Sequence, residues 1–259
     1  MLPDKRQIEI CISPALYHKF HKDEAIVVVV DILRATTAIC AAIENGAKEI
    51  RPVSTLEEAR EFKNKGFWVA AERDGLVQDF ADFGNSPFNF TPERVKDKTI
   101  VYSTTNGTHS IRMAQKSAMV VIGAFINFSA LKDLLIAENK DVVMLCAGWK
   151  DKFCIEDTLF CGAMAEALMA SNLYGTSCDS TYASIDLWQV AKGNVLQYIE
   201  KAAQRHRLKK NKLDDVLEYS FSFDKTKSVP VLMGDAILAY KKDKWEKFLQ
   251  IKKGEAINY

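Results

Sequence analysis

A chain of 259 residues with 35 Lys+Arg against 34 Asp+Glu carries a formal charge of +1. At 48% hydrophobic and 27% charged residues it has the composition of a globular domain rather than a disordered one, and a chain of this size buries about 73% of its unfolded surface. Balanced charge removes the electrostatic case for a nucleic-acid footprint but leaves room for a local cationic pocket.

The start, MLPDKRQIEI, has no apolar leader core, and the front-half run AIVVVV is too short to span a bilayer. The six cysteines contain no C-x-x-C pair. A cytoplasmic protein with reduced thiols, no zinc ribbon and no membrane partner is therefore expected.

Residues 25–31, AIVVVVD, form a β-branched run without alternation, the pattern of a parallel strand buried on both faces. The loop LRATT and the helical stretch AICAAIENGA follow, with Gly46 placed as a C-terminal stop. KEIRPV reads as the next strand. Ser54 and Glu57 have capping-box spacing at the head of a helix that Gly66 ends. A second unit runs through TIVYS (99–103), TTNGT, the helix HSIRMAQKS, the strand AMVVIGAF and the helix NFSALKDLLIAEN. A third runs through DVVMLCAG (141–148), WKDKFCI and EDTLFCGAMAEALMA. This alternation predicts a three-layer α/β/α fold around a largely parallel sheet. Ligands then bind beyond the carboxyl ends of the strands.

Residues 181–223 show helical periodicity, and their basic run RHRLKKNK (205–212) reads as a solvated helix face. SVPVLMGDAILAY (228–240) reads as a strand followed by apolar structure. No Ser/Gly/Pro linker divides the chain, so one domain over 1–259 is expected, with room for a second lobe in the C-terminal third.

The loops after the three buried strands concentrate polar residues. Asp31 ends the first strand and Arg34, Thr36 and Thr37 follow; Thr104, Thr105, Asn106, Gly107 and Thr108 follow the second; Lys150, Lys152, Glu156 and Asp157 follow the third. The segment AERDGLVQDFADFGNSP (71–87) adds Glu72, Arg73, Asp82, Asn85 and Ser86. Each piece also has an ordinary explanation: Asp31 as a helix cap, TTNGT as a turn, and Glu156 with Asp157 as carboxylates complementing a helix dipole. Arg34 is less ordinary, because a cation at a helix start opposes the dipole and calls for an anion. TTNGT and the N–H groups after it suit an oxyanion, and Glu156 with Asp157 suit a hard cation. There is no P-loop, G-x-G-x-x-G, G-x-S-x-G or H-E-x-x-H, and His18 and His21 read as surface residues. Leu33 stands where phosphatases with a strand-end aspartate nucleophile carry a second aspartate.

Four segments in order, VVVVDILRATTAI (27–39), ERDG with DFGNSP (72–75, 82–87), STTNGT (103–108) and CAG with FCIEDTLFCG (146–148, 153–162), resemble the ComB-type 2-phosphosulfolactate phosphatase family. VPVL (229–232) is a weaker match. Three positions depart: Ala71 stands where the family has glycine, and Phe80 and Ala81 stand where it has Gly-Phe, which puts substrate preference in question.

The resemblance implies a ComB-like fold and a Mg²⁺-dependent hydrolase that converts 2-phosphosulfolactate to sulfolactate, a step towards coenzyme M. On it, Asp31, Arg34, Glu156 and Asp157 are expected to be catalytic. Asp31, Glu156 and Asp157 ligate metal or activate water. Arg73, Asn85, Ser86, Thr104, Thr105, Asn106, Gly107 and Thr108 bind the anionic phosphoester. Two alternatives stay open: a phosphatase for another small phospho-hydroxy acid, and a non-catalytic anion-binding protein. A homodimer is expected only because symmetric dimers are the commonest soluble oligomers.

Overall fold

The computed structural model describes residues 5–252, so Met1–Asp4 of the stretch read for a leader lie outside the described residues. In chain order the strands are β1 (Arg6–Cys11), β2 (Ile26–Val30), β3 (Glu49–Pro52), β4 (Trp68–Arg73), β5 (Leu76–Val77), β6 (Thr99–Ser103), β7 (Met119–Gly123), β8 (Val142–Cys146), β9 (Tyr174–Gly175), β10 (Pro230–Met233) and β11 (Ala236–Ala239). The helices are α1 (Tyr17–Phe20), α2 (Ala35–Glu44), α3 (Leu56–Asn64), α4 (Pro92–Val95), α5 (Gly107–Ala114), α6 (Phe128–Glu138), α7 (Ile155–Ala170), α8 (Asp179–Ala191), α9 (Val195–Tyr198), α10 (Ala203–Lys210), α11 (Leu217–Ser220) and α12 (Lys242–Lys252).

The strands form one mixed, mostly parallel sheet in the order β5-β4-β6-β3-β11-β10-β7-β2-β8-β1-β9. β2 pairs in parallel with β7 on one side and β8 on the other, and all five of its residues are buried. Two-sided burial is why its sequence shows no alternation. On β4 and β6 the two faces go to different clusters. Ala70, Ile100 and Tyr102 face the main core, while Val69, Ala71 and Val101 pack with Ala59, Leu56 and Phe62 of α3.

Residues 228–240 are not one strand but the β10–β11 hairpin, which turns through Gly234 at φ +62°. It joins the two parallel blocks by single antiparallel bridges, Val231 to Val121 and Ile237 to Ile50. Three antiparallel steps make those blocks run in opposite senses along the sheet. Their carboxyl ends nevertheless meet: Asn106, after β6, accepts a hydrogen bond from the Lys150 N–H, after β8, at 2.9 Å. The sheet therefore bends sharply at the hairpin, and α5, which follows β6, packs against β2.

Other local readings shift. Thr55, not Ser54, caps α3: its Oγ1 accepts from Glu58 N at 3.1 Å, while the Glu58 carboxylate accepts from Ser54 N. The backbone decides this, since Thr55 is extended (φ −121°, ψ 160°) directly before the first helical residue. The polar segment from Ala71 begins inside a strand, β4, and β1 forms within the polar N-terminal stretch. All six cysteines are free thiols. Among the described residues no helix is long and apolar enough to cross a membrane.

Candidate active site

The loops after β2, β4, β6 and β8 meet over one small cavity lined by Asp31, Leu33, Arg34, Glu72, Gly75, Asn85, Asn106, Trp149 and Gln204. Its volume is about 20 Å³, room for one water. A hollow of about 390 Å³ lies at the opposite sheet edge, between Glu24, Lys116, Met119 and Trp245. Its size does not make it the site, because Asp31, Arg34, Asn85 and Asn106 line the smaller cavity.

Asp31 follows β2 and is nearly buried. Its Oδ1 accepts from Ala35 N at 3.2 Å and its N–H donates to Thr36 Oγ1 at 3.0 Å. The carboxylate thus caps α2, and Oδ2 accepts no hydrogen bond from the described residues. Burial pushes the Asp31 carboxyl up to about 7, with the charges of Glu72 and Glu156 acting in the same direction. The Ala35 N–H and Arg34 pull against them.

Arg34 is 3% exposed and follows a cis peptide bond from Leu33. It makes no ion pair with any described residue; its Nη2 donates to the Gly75 carbonyl at 3.0 Å. Burial lowers its affinity for a proton. Glu72, Asp215 and Asp31 act on it without a direct ion pair, and a buried guanidinium so placed is costly.

Glu72, at the end of β4, holds the neighbouring loops. Its Oε1 accepts from Thr105 N at 2.7 Å and its Oε2 from Gly75 N at 2.6 Å. Arg73 points the other way, as strand alternation requires, and donates to the Glu72 carbonyl and to Ser103 Oγ. Asp82 also lies away from the cavity, accepting from Val69 N and Lys63. Asn85 lines the cavity at 7% exposure, and its Oδ1 has no hydrogen-bond partner.

At the start of α7, Asp157 accepts from Ile32 N on Oδ1 at 2.9 Å and from Gly148 N on Oδ2 at 3.0 Å. It fastens the β2 loop to the β8 loop. Burial raises it well above the ordinary carboxylate range, followed by the charges of Glu156 and Asp31. Glu156 is raised by burial too, with the Cys154 thiol and the charge of Arg207 opposing.

Of the predicted residues, the structure brings Asp31, Arg34, Asn85 and Asn106 to the cavity wall. Gly107 backs onto Asp31, where a Cβ would lie 3.0 Å from Oδ2. Thr104 and Thr108 are buried and bond each other's backbone N–H groups, and Thr105 is tied to Glu72. Ser86 starts the turn after Asn85 and does not line the cavity. Ala71, Phe80 and Ala81, the departures from the family pattern, all pack in the α3 cluster, away from the cavity.

Sequence reasoning missed the contribution of α10. Gln204 donates to the Leu33 carbonyl at 2.8 Å and accepts from Arg207 Nε at 2.6 Å, and Arg207 lies 4.2 Å over the Trp149 ring. The basic run is solvated at Lys209 and Lys210 but buries Gln204 and Leu208 on its other face. Only a helix-face argument applied to 204 and 208 was available to find it.

Residues 11–235 match the model of the family described as 2-phosphosulpholactate phosphatase. A curated protein of Caldanaerobacter subterraneus subsp. tengcongensis, named probable 2-phosphosulfolactate phosphatase, is 36% identical over 210 residues, covering 80% of this chain and 87% of its own. One of Thermotoga maritima with the same name is 31% identical over 211 residues, covering 82% and 90%. One of Clostridium kluyveri, also so named, is 34% identical over 216 residues, covering 79% and 85%.

Proposed function

The chain belongs to the 2-phosphosulfolactate phosphatase family, and on that premise we propose that it hydrolyses 2-phosphosulfolactate to sulfolactate and phosphate. The observation that carries the reading is Arg34 beside Asp31: a buried guanidinium with no carboxylate partner, next to a buried carboxyl pushed up to about 7. The substrate carries a phosphate, a sulfonate and a carboxylate. Arg34 offers the fork that grips an oxyanion, and the N–H groups opening α5 add neutral donors. Asp31 Oδ2 takes the proton of the attacking water as its oxygen bonds to phosphorus. The alcohol oxygen, in line on the far side of phosphorus, takes its proton from water as the phosphorus–oxygen ester bond breaks. A carboxyl titrating near neutrality suits proton acceptance.

Mg²⁺ is part of the proposal. Among the described residues no three His, Cys, Asp or Glu side chains form a ready metal cage. An ion held by one or two carboxylates, waters and the phosphoryl group, the usual habit of Mg²⁺, needs no such cage. Glu156 would hold it, leaving Asp31 Oδ2 free to accept the proton, while Asp157, with a backbone N–H on each oxygen, fixes the loops around them. Bound there, Mg²⁺ would polarise the phosphoryl oxygen and offset the repulsion among the carboxylates.

The test is phosphate release from 2-phosphosulfolactate beside phosphoglycolate and phosphoglycerate, with Mg²⁺ and with EDTA. Metal-dependent release fastest on the sulfonate supports the proposal. Faster release from another phospho-acid replaces the substrate and keeps the chemistry. Tight binding of all three without release makes the chain an anion-binding protein.

A further inference from the structure

Among the described residues four buried side-chain polar atoms lack a hydrogen-bond partner: Asn85 Oδ1, Tyr102 Oη, Arg112 Nε and Ser220 Oγ. Asn85 faces the cavity, where a ligand can satisfy it. Tyr102 has had no role so far. It lies on β6, is 1% exposed, and its ring packs against Phe90 in the main core. A phenylalanine would fill that space equally well. The oxygen is what needs a reason, because a buried hydroxyl left unpaired destabilises the fold.

The sheet supplies the reason. Tyr102 pairs with Ala70 across the parallel β4–β6 ladder, so it shares a face with Glu72, two residues further along β4. Tyr102, Glu72 and Asp31 are all electrostatic neighbours of the Arg34 guanidinium. Burial, then Asp31 and Glu72, raise the phenol well above its usual range, so it stays a protonated donor.

We propose that Tyr102 is a positioning residue for Arg34, its hydroxyl completing the hydrogen-bond set of the Asp31–Arg34 pair when an oxyanion is bound. The inference rests on the oxyanion-binding part of the function proposed above, but not on hydrolysis. Arg34 donates to the carbonyl of Gly75, whose N–H Glu72 accepts, so the guanidinium and the face that carries Tyr102 share the Glu72–Gly75 turn.

The test compares Tyr102→Phe with Tyr17→Phe, measuring inorganic phosphate binding by calorimetry and thermal stability. The Tyr17 hydroxyl is satisfied, by Ser117 and His21, and lies outside the site. Tyr102→Phe is expected to weaken phosphate binding about tenfold, the scale of one hydrogen bond to a charged group, with Tm unchanged or raised. Tyr17→Phe is expected to lower Tm and leave phosphate affinity unchanged. Unchanged phosphate affinity in Tyr102→Phe overturns the proposal, whatever its Tm, and so does a wild type that binds no phosphate. A wild type that binds phosphate in a Tyr102-dependent way but releases none from any phosphoester keeps this inference and sinks the hydrolase reading.

Discussion

Gly107 and Asp31 belong to loops 76 residues apart in sequence, yet a Cβ on Gly107 would sit 3.0 Å from Asp31 Oδ2 and 2.7 Å from the Ala35 Cβ. The glycine lets α5 start against the carboxylate and against the first residue of α2. Gly107→Ala is therefore expected to push the two helix starts apart, costing about 1–3 kcal/mol in stability. Misplacing the site by about 1 Å costs on the order of a hundredfold in turnover. Thermal melts and steady-state rates on the same preparation check it. An alanine variant with full activity would show that the loops have slack.

Asp31→Asn keeps the shape and the cap to Ala35 but removes the base. Turnover is expected to fall by orders of magnitude while the circular dichroism spectrum stays native. Near-full activity would remove Asp31 from the mechanism.

The same variant changes how stability depends on pH. The folded Asp31 titrates near 7 against 3.8 for the ordinary carboxyl, so the folded state binds the proton more tightly than the unfolded state. That stabilisation is complete below about pH 4 and is lost as pH rises through about 7. Wild type measured in EDTA is expected to lose up to about 1.4 kcal/mol per pH unit from this group across that window. Asp31→Asn removes that slope. Urea melts from pH 4 to pH 8 give the comparison, and parallel slopes would contradict the raised value.

Asp157→Ala is expected to free the Ile32 and Gly148 N–H groups and destabilise the fold by roughly 1–3 kcal/mol. Asp157→Asn still accepts one of these N–H groups but faces the other with its own NH₂, so it should fall between alanine and wild type. Hydrogen exchange at Ile32 and Gly148 should accelerate in both variants. Protection at wild-type levels would mean that the loops are joined by other contacts.

The cavity of about 20 Å³ admits a water but not a three-anion phosphoester. Of the elements bordering it, α10 is tied down through Gln204 and Arg207, and its opening is the expected route of entry. Hydrogen exchange over residues 203–213 is expected to slow when phosphate binds and to speed up in Gln204→Ala, with KM raised severalfold. Identical exchange with and without phosphate would place the entrance elsewhere.

The unalternating AIVVVV run announced β2 as a central strand, and the polar loops after it, after TIVYS and after DVVMLC do meet, although the β6 block runs opposite to the β2–β8 block and the loops do not share one edge of a parallel sheet. These features are local: two-sided burial removes alternation, and loops after strands carry function. The convergence of Asp31, Arg34 and Asn106 on one cavity follows from those loops, while Asn85 arrives from the separate segment 71–87.

Tertiary structure decided the rest. Thr104 and Arg73 have the residue types of a binding loop but spend their polar atoms on backbone and neighbouring hydroxyls. Gln204 belongs to no motif, and lines the cavity because α10 packs against the loop after β2. Local sequence determines which element forms and which face is apolar. It does not determine which distant loop a polar side chain meets, because that depends on how the whole sheet packs.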